Sequence, residues 1–250
     1  MQFLTKPSLS FIDYPSRVSL VVYTMGCDFK CPGCHAKKVA DSPGISEQEV
    51  LDFIKNYDNL NWVRGIVICG GEPTIHPDLP SFLRRLKKEA GLEIKLDTNG
   101  NNPEMLSRVI EEGIVDYIAM DIKGSKEIYS FVTGVMDIGL EKIEESISRV
   151  SKTPAYEFRT TLWPVNFGGD VGWMNEQEAK NMANWIFQVT GTRNHKHYLQ
   201  RFVARTKDEM ISPFLSKEEL PKEMWKTPNR VVMNVKEAMK SQGYNCEIRG

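Results

Sequence analysis

The sequence predicts an α/β protein built on a parallel sheet, and three observations carry that prediction. Short apolar runs alternate six times with segments whose apolar residues recur at helical spacing. The runs, such as Gly65-Ile66-Val67-Ile68-Cys69, are apolar throughout, as in strands covered on both faces. Polar and glycine-rich motifs follow four successive strands, at the end where parallel α/β folds place their sites. Regular β-then-α alternation with right-handed crossovers fits a doubly wound sheet and an incomplete barrel alike.

Taken in order, residues 1–17 show no strong periodicity, and Ser16-Arg17 ends a turn begun at Asp13-Tyr14-Pro15. The first strand covers residues 18–24. After Lys37-Lys38 and the turn Asp41-Ser42-Pro43-Gly44, Ser46 and Glu49 form a capping box with Ile45 as its staple. Val50, Leu51, Ile54 and Tyr57 share one face of that helix. The second strand, residues 65–69, runs into Gly70-Gly71-Glu72-Pro73. A helix with Leu79, Phe82, Leu83 and Leu86 follows, and Gly91 stops it. Residues 93–96 form the third strand, tipped by Asp97-Thr98-Asn99-Gly100. Pro103 opens the next helix. Residues 117–120 form the fourth strand, with Asp121 and Lys123 at its end. Leu140, Ile143, Ile147 and Val150 mark another helix, residues 156–162 a fifth strand carrying Arg159, and residues 197–202 a sixth. Asn175 and Glu178 cap the helix between the last two. Residues 203–223 read as irregular and 231–239 as a final helix.

The first strand delivers Cys27, Cys31 and Cys34, three of the five cysteines, within eight residues as C-x3-C-x2-C. Three thiolates on one loop suit a soft, multi-iron centre, and Cys69 and Cys246 lie far along the chain. The economical reading is a [4Fe-4S] cluster with one iron left open. A zinc site completed by His35 is the alternative, although adjacent Cys34 and His35 are awkward co-ligands. A disulfide leaves one of the three cysteines odd. Cys69 reads as a small buried hydrophobe.

The spacing after a first strand resembles the radical S-adenosylmethionine (SAM) enzymes. Phe11-Ile12-Asp13-Tyr14-Pro15, Cys31-Pro32-Gly33-Cys34-His35, Gly70-Gly71-Glu72-Pro73-Thr74, Leu96-Asp97-Thr98-Asn99-Gly100 and Met120-Asp121-Ile122-Lys123 are similar to one branch, the glycyl-radical-enzyme activating enzymes. Within it the likeness is greatest to the activating proteins of anaerobic ribonucleoside-triphosphate reductase. The resemblance covers about residues 10–202. It implies a partial TIM-like (β/α)6 barrel in a single domain over residues 1–250, with a core over residues 10–203 and a short C-terminal helical extension over residues 204–250.

The resemblance also implies chemistry. Cys27, Cys31 and Cys34 hold the cluster, whose open iron takes the amino and carboxylate groups of SAM. Gly70 and Gly71 let a ligand approach the backbone, and Glu72 accepts a hydrogen bond from the SAM ammonium. Asn99 or its neighbours Asp97 and Thr98 meet the ribose or carboxylate. Asp97 and Asp121 share a monovalent cation, with Lys123 beside them. Arg159 lies near the SAM carboxylate. Gly33 stands where many family members carry an aromatic residue that meets adenine. His35 and Gln200 are secondary candidates. The implied reaction is reductive cleavage of SAM and removal of a hydrogen atom from a glycine of a partner glycyl-radical enzyme. A flavodoxin or ferredoxin would supply the electron. Lys30, Lys37 and Lys38 are candidates for docking. Two other readings stand beside it: a small-molecule radical SAM enzyme like the short carboxy-deazaguanine synthases, and a non-catalytic zinc or iron–sulfur module.

Composition narrows the field further. A chain of 250 residues can form one large α/β domain or two small ones and bury a sizeable core. Its 32 basic and 33 acidic residues give a net charge of −1, against a general nucleic-acid binder. No apolar run reaches membrane-spanning length. With no secretory signal, the expected home is the cytoplasm.

Overall fold

The computed structural model describes residues 1–35, 43–166, 171–210 and 215–249. The docking candidates Lys37 and Lys38 and part of the turn at 41–44 lie outside them. The chain opens with β1 (Gln2–Phe3), β2 (Ser8–Tyr14), β3 (Arg17–Thr24) and β4 (Ile45–Ser46). Helices and strands then alternate. They are α1 (Glu47–Lys55), β5 (Gly65–Gly70), α2 (Leu79–Ala90), β6 (Glu93–Thr98), α3 (Pro103–Glu111) and β7 (Tyr117–Asp121). Next come α4 (Tyr129–Thr133), α5 (Leu140–Val150), β8 (Tyr156–Leu162), the small hairpin β9 (Pro164–Asn166) and β10 (Val171–Trp173), and α6 (Glu176–Thr190). β11 (His197–Arg201), α7 (Asn229–Ser241) and β12 (Glu247–Arg249) complete the fold.

Strands β3, β5, β6, β7, β8, β11 and β12 lie side by side, each parallel to the next. The outer strands β12 and β4 are not joined, so the sheet is an open, partial TIM-like barrel. The local signals agree with it. Both capping boxes, Ser46 with Glu49 and Asn175 with Glu178, are closed in both directions. Gly91 ends α2 in the left-handed region, and Pro103 stands in the first turn of α3.

Two features go beyond the sequence reading. Residues 1–17 are not featureless: β2 pairs antiparallel with β3, and β1 bridges β3 and β4. A register shift between Ser10 and Tyr14 breaks the two-residue alternation there, which hides the strand from its pattern. The C-terminal extension is not only helical, because β12 adds a seventh parallel strand beside β11.

The two faces of the sheet differ. Leu20, Ile66, Ile68, Ile94, Leu96, Met120 and Phe158 are fully buried under the helices in the main core. Each such side chain contributes about 1.5–3 kcal/mol by leaving water. The alternate residues face the barrel interior. At its base Tyr14, Val21 and Val67 form a small separate cluster, with Tyr23, Cys69 and Tyr117 against it. Above that plug the interior is charged.

Candidate active site

The cysteine loop leaves β3 at Thr24 and is stitched to the tip of β5. Gly71 N–H donates to Thr24 O (2.9 Å) and Glu72 N–H to Gly26 O (2.8 Å). Thr24 Oγ1 donates to Cys69 O at 3.1 Å, and His76 Nε2 donates to Met25 O at 2.8 Å. This stitching explains the glycine pair. Gly70 has φ +114°, and a Cβ on Gly71 would sit 1.7 Å from Gly26 O. The sequence reading gave that room to a ligand. Much of it is taken by the backbone of the cysteine loop itself.

Phe29 is buried in the core, and Lys30 N–H donates to Thr133 O (2.8 Å), which fixes the middle of the loop. Cys27 is exposed, Cys31 buried and Cys34 intermediate, and all three line one cleft of about 570 Å³. Burial pushes the Cys31 thiol up to about 11, so a metal centre there must displace its proton. Cys69, also lining the cleft, is held well above its ordinary value by burial. Among the described residues no three His, Cys, Asp or Glu side chains are placed to hold a single metal ion. The three thiols on one cleft wall fit the corners of a polynuclear cluster, for which soft sulfur donors are the right chemistry.

Glu72 joins two strand tips. Its Oε1 accepts from Thr74 N–H (3.0 Å), Thr74 Oγ1 (2.5 Å) and Thr98 Oγ1 (2.8 Å), and its Oε2 from Asn99 N–H (2.6 Å). Burial raises its carboxyl to about 7 against the pull of these four donors. Oε1 is saturated. Oε2, with one donor, keeps acceptor capacity.

Asn99 is similarly committed. Its Nδ2 donates to Asp28 Oδ1 at 2.7 Å and its Oδ1 accepts from Asn101 N–H at 2.9 Å. Asn101 Nδ2 donates to Asp28 Oδ2, also at 2.7 Å. Asp28, between the first two cysteines, therefore clamps the loop to the tip of β6. The sequence reading missed Asp28 and Asn101. Their signal was a carboxylate inside the cysteine motif and an amide-rich tip, Asn99-Gly100-Asn101-Asn102, two strands away.

On the inner face Arg159 bridges the two carboxylates read from the sequence as a cation site. Its Nε donates to Asp121 Oδ1 (2.8 Å) and its Nη1 to Asp97 Oδ2 (2.7 Å). Lys123 Nζ lies 3.0 Å from Asp121 Oδ2, and buried Lys95 Nζ lies 3.2 Å from Asp97 Oδ1. Burial would raise Asp121, but Arg159 and Lys123 outweigh it and hold the carboxyl at about 2. Lys123 is raised in turn, because Asp121 more than offsets its burial. In the cleft lining two carboxylates, Asp97 and Asp121, thus face two cations, Arg159 and Lys123, with Lys95 behind them.

The far wall is aromatic: Trp163, which follows β8, Phe202, which follows β11, and His35 line it with Gln200. Residues 167–169 of the loop after Trp163 lie outside the described residues. Gln200 Oε1 accepts from Thr161 Oγ1 at 3.4 Å. The structure thus brings every sequence-predicted site residue, Cys27 through Arg159, to one cleft at the C-terminal rim of the strands.

An open parallel barrel with a three-thiol loop on its C-terminal rim defines a class of fold and site. Residues 21–164, more than half of the chain, match the model of the Radical SAM superfamily, and the chain belongs to that superfamily. A Methanocaldococcus jannaschii protein named provisionally as a glycyl-radical enzyme activating enzyme is 35% identical over 184 residues, which cover 71% of this chain and 72% of that protein. A Thermococcus kodakarensis protein named provisionally as a GTP 3′,8-cyclase is 26% identical over 140 residues, covering 54% of this chain and 44% of that one. Among solved structures, a radical SAM methyltransferase from Sphaerobacter thermophilus superposes with a TM-score of 0.64 at 13% identity, covering 96% of this chain and 68% of that one. At that identity the likeness speaks for the fold. No helix among the described residues is long and apolar enough to cross a membrane.

Proposed function

We propose that the protein is a glycyl-radical-enzyme activase, with anaerobic ribonucleoside-triphosphate reductase as its partner and a flavodoxin or ferredoxin as electron donor. The observation that carries this reading is the gathering of Cys27, Cys31, Cys34, Glu72, Asp121, Lys123 and Arg159 around one cleft, together with the Methanocaldococcus jannaschii relative. Cys27, Cys31 and Cys34 would hold a [4Fe-4S] cluster, which with SAM supplies one-electron cleavage of the sulfonium and a hydrogen-abstracting radical. The chain's own residues position the ligand. Glu72 Oε2 accepts from the amino group, while the Arg159 guanidinium and the Lys123 ammonium meet the carboxylate. Asp121, held ionised, keeps both cations oriented. The barrel's open side suits a loop of a macromolecule, because a glycine buried in a partner must unfold locally to reach the cleft.

The test is an anaerobic assay with deuterium on the glycine of candidate glycyl-radical enzymes. The reading expects the label in 5′-deoxyadenosine and a glycyl radical by electron paramagnetic resonance. Transfer from a small metabolite, and from no protein glycine, would replace it with the small-molecule reading to which the GTP 3′,8-cyclase likeness belongs.

A further inference from the structure

The sheet has two free margins, and the barrel's open side lies between them. One margin is β12. The other is β1 with β4 along the upper end of β3, and β2 along its lower half, where Ser8 to Tyr14 pair with Val21 to Arg17. No strand pairs with the outer edge of β2 among the described residues. On that edge strand Phe11 is 71% exposed and Ile12 86%. Single exposed apolar side chains are common, but two adjacent ones on an unpaired strand invite aggregation unless something covers them. They are also held in place. The N–H groups of Ile12 and Asp13 both donate to Ser10 Oγ, each at 3.2 Å, and Ser10 Oγ donates to Asp13 Oδ2. The register shift between Ser10 and Tyr14 arches the strand there. Asp13 O accepts from Lys95 Nζ, which is buried inside the barrel. The same Nζ lies 3.2 Å from Asp97 Oδ1, and Asp97 lines the cleft. One side chain, Lys95, thus joins the arch to the cleft.

We infer that Phe11 and Ile12 form a docking knob for the protein that brings its glycine to the cleft, received by an apolar recess beside that protein's glycine loop. The inference rests on the activase reading above. Position argues for this occupant. A loop entering the open side passes between β2 and β12, so the body that carries it comes to rest on those margins. The arch is joined to the cleft through Lys95, which places the knob beside the point of entry. Because Ser10 already fixes the arch, docking costs it little conformational freedom. A second copy of this chain, pairing two β2 edges about a twofold axis, is the competing occupant that the test must separate.

The experiment uses anaerobic, cluster-loaded protein and purified anaerobic ribonucleoside-triphosphate reductase. Phe11→Ser and Ile12→Ser are compared with Phe11→Leu and with Met233→Ser, a change at an exposed apolar residue of α7 on the helix side. Three quantities are measured. They are the reductase concentration that gives half-maximal glycyl radical, SAM cleavage driven by dithionite alone, and the response of that cleavage to a peptide copying the reductase's glycine loop. Truncating a well-packed apolar anchor lowers affinity on the order of tenfold. Each serine variant should raise the half-maximal reductase concentration by about that factor, Phe11→Leu by less, and Met233→Ser not at all. Cleavage without reductase, the peptide response and thermal melting should stay at wild-type values. An unchanged half-maximal concentration in both serine variants overturns the inference. A parallel loss of cleavage without reductase overturns it as well, because that marks a damaged cleft rather than lost docking. A wild-type dimer in sedimentation that both serine variants turn into monomer assigns the knob to a second copy and overturns it too. Wild-type protein that raises no glycyl radical in the reductase would instead bring down the activase reading, and this docking with it.

Discussion

The two faces of the sheet are built from the same strands by opposite means. Under the helices, Ile66, Ile68, Leu96 and Met120 are fully buried and apolar. On the barrel side the same strands present Lys95, Asp97 and Asp121, tied together with Arg159 by directional bonds. The outer face tolerates any side chain of similar size and shape. The inner face does not, because each charge there depends on a named partner. Apolar burial is spread over one face, and paired charge is concentrated on the other.

The cysteine loop is the extreme case of that contrast. Cys27→Ala, Cys31→Ala and Cys34→Ala should each abolish the roughly four irons per chain expected after anaerobic reconstitution. Cys69→Ala and Cys246→Ala should keep them. Iron analysis with absorption spectra decides, and loss of the cluster in either of the latter two with the fold intact breaks the three-ligand assignment.

Arg159→Met and Ile66→Ala set the two faces against each other. Removing the Arg159 guanidinium leaves Asp97 and Asp121 short of their shared partner, at a cost of about 3–5 kcal/mol. Ile66→Ala opens a core cavity, at a cost of about 2–5 kcal/mol. Denaturant unfolding should therefore give similar losses. SAM affinity per folded molecule should drop only for Arg159→Met, and an equal drop for both would erase the distinction.

Glu72 gives the inner face a pH signature. Its carboxyl is raised from 4.5 to about 7 by burial, so the folded chain keeps a proton that the unfolded chain has released in that window. Stability should fall as pH rises from about 4.5 to about 7, by about 3 kcal/mol from this group. Glu72→Gln should remove that slope and weaken SAM binding while leaving iron content unchanged. A slope that survives the substitution belongs to another group.

Asp28→Ala tests the clamp between loop and β6. Two amide donors, from Asn99 and Asn101, would lose their acceptor, at a cost of about 1–3 kcal/mol. Faster iron loss under a chelator is the expected readout, with Asp28→Asn intermediate. The smallest effect concerns monovalent cations. With Arg159 already between Asp97 and Asp121, replacing potassium by tetramethylammonium at constant ionic strength should change SAM affinity by less than about twofold, well under 1 kcal/mol. A larger change would assign the cation its own place there.

Much of this was legible in the sequence because the signals were local. Apolar runs, capping boxes and a helix-stopping glycine each act within a few residues, and strands such as Tyr156–Leu162 follow them closely. The cleft was legible for a different reason: in a parallel barrel all strand tips meet at one rim, so motifs distant in sequence converge without further information. What escaped was pairing across that rim. Nothing near Asp28 announces Asn101, and nothing near Gly33 announces Trp163, whose ring lies where a side chain at position 33 would stand. Arg159 was expected beside a ligand carboxylate, yet its nearest partners are the protein's own aspartates. Such contacts depend on side-chain length and strand stagger, which periodicity does not encode. The strands within residues 1–17 were hidden by a register shift, and β12 by its three-residue length.

β12 carries a consequence for how the molecule is assembled. Arg249 donates from Nη1 and Nη2 to both oxygens of Glu157, at 2.6 and 2.9 Å, and Glu157 is wholly buried on β8. Without Arg249, that carboxylate would keep one hydrogen bond among the described residues, from Tyr117 Oη at 2.8 Å, and would be poorly matched in a dry interior. Docking of β12 therefore completes the hydrogen bonding of a carboxylate buried on β8, and this edge strand stabilises the sheet through that charged pair as well as through its backbone ladder.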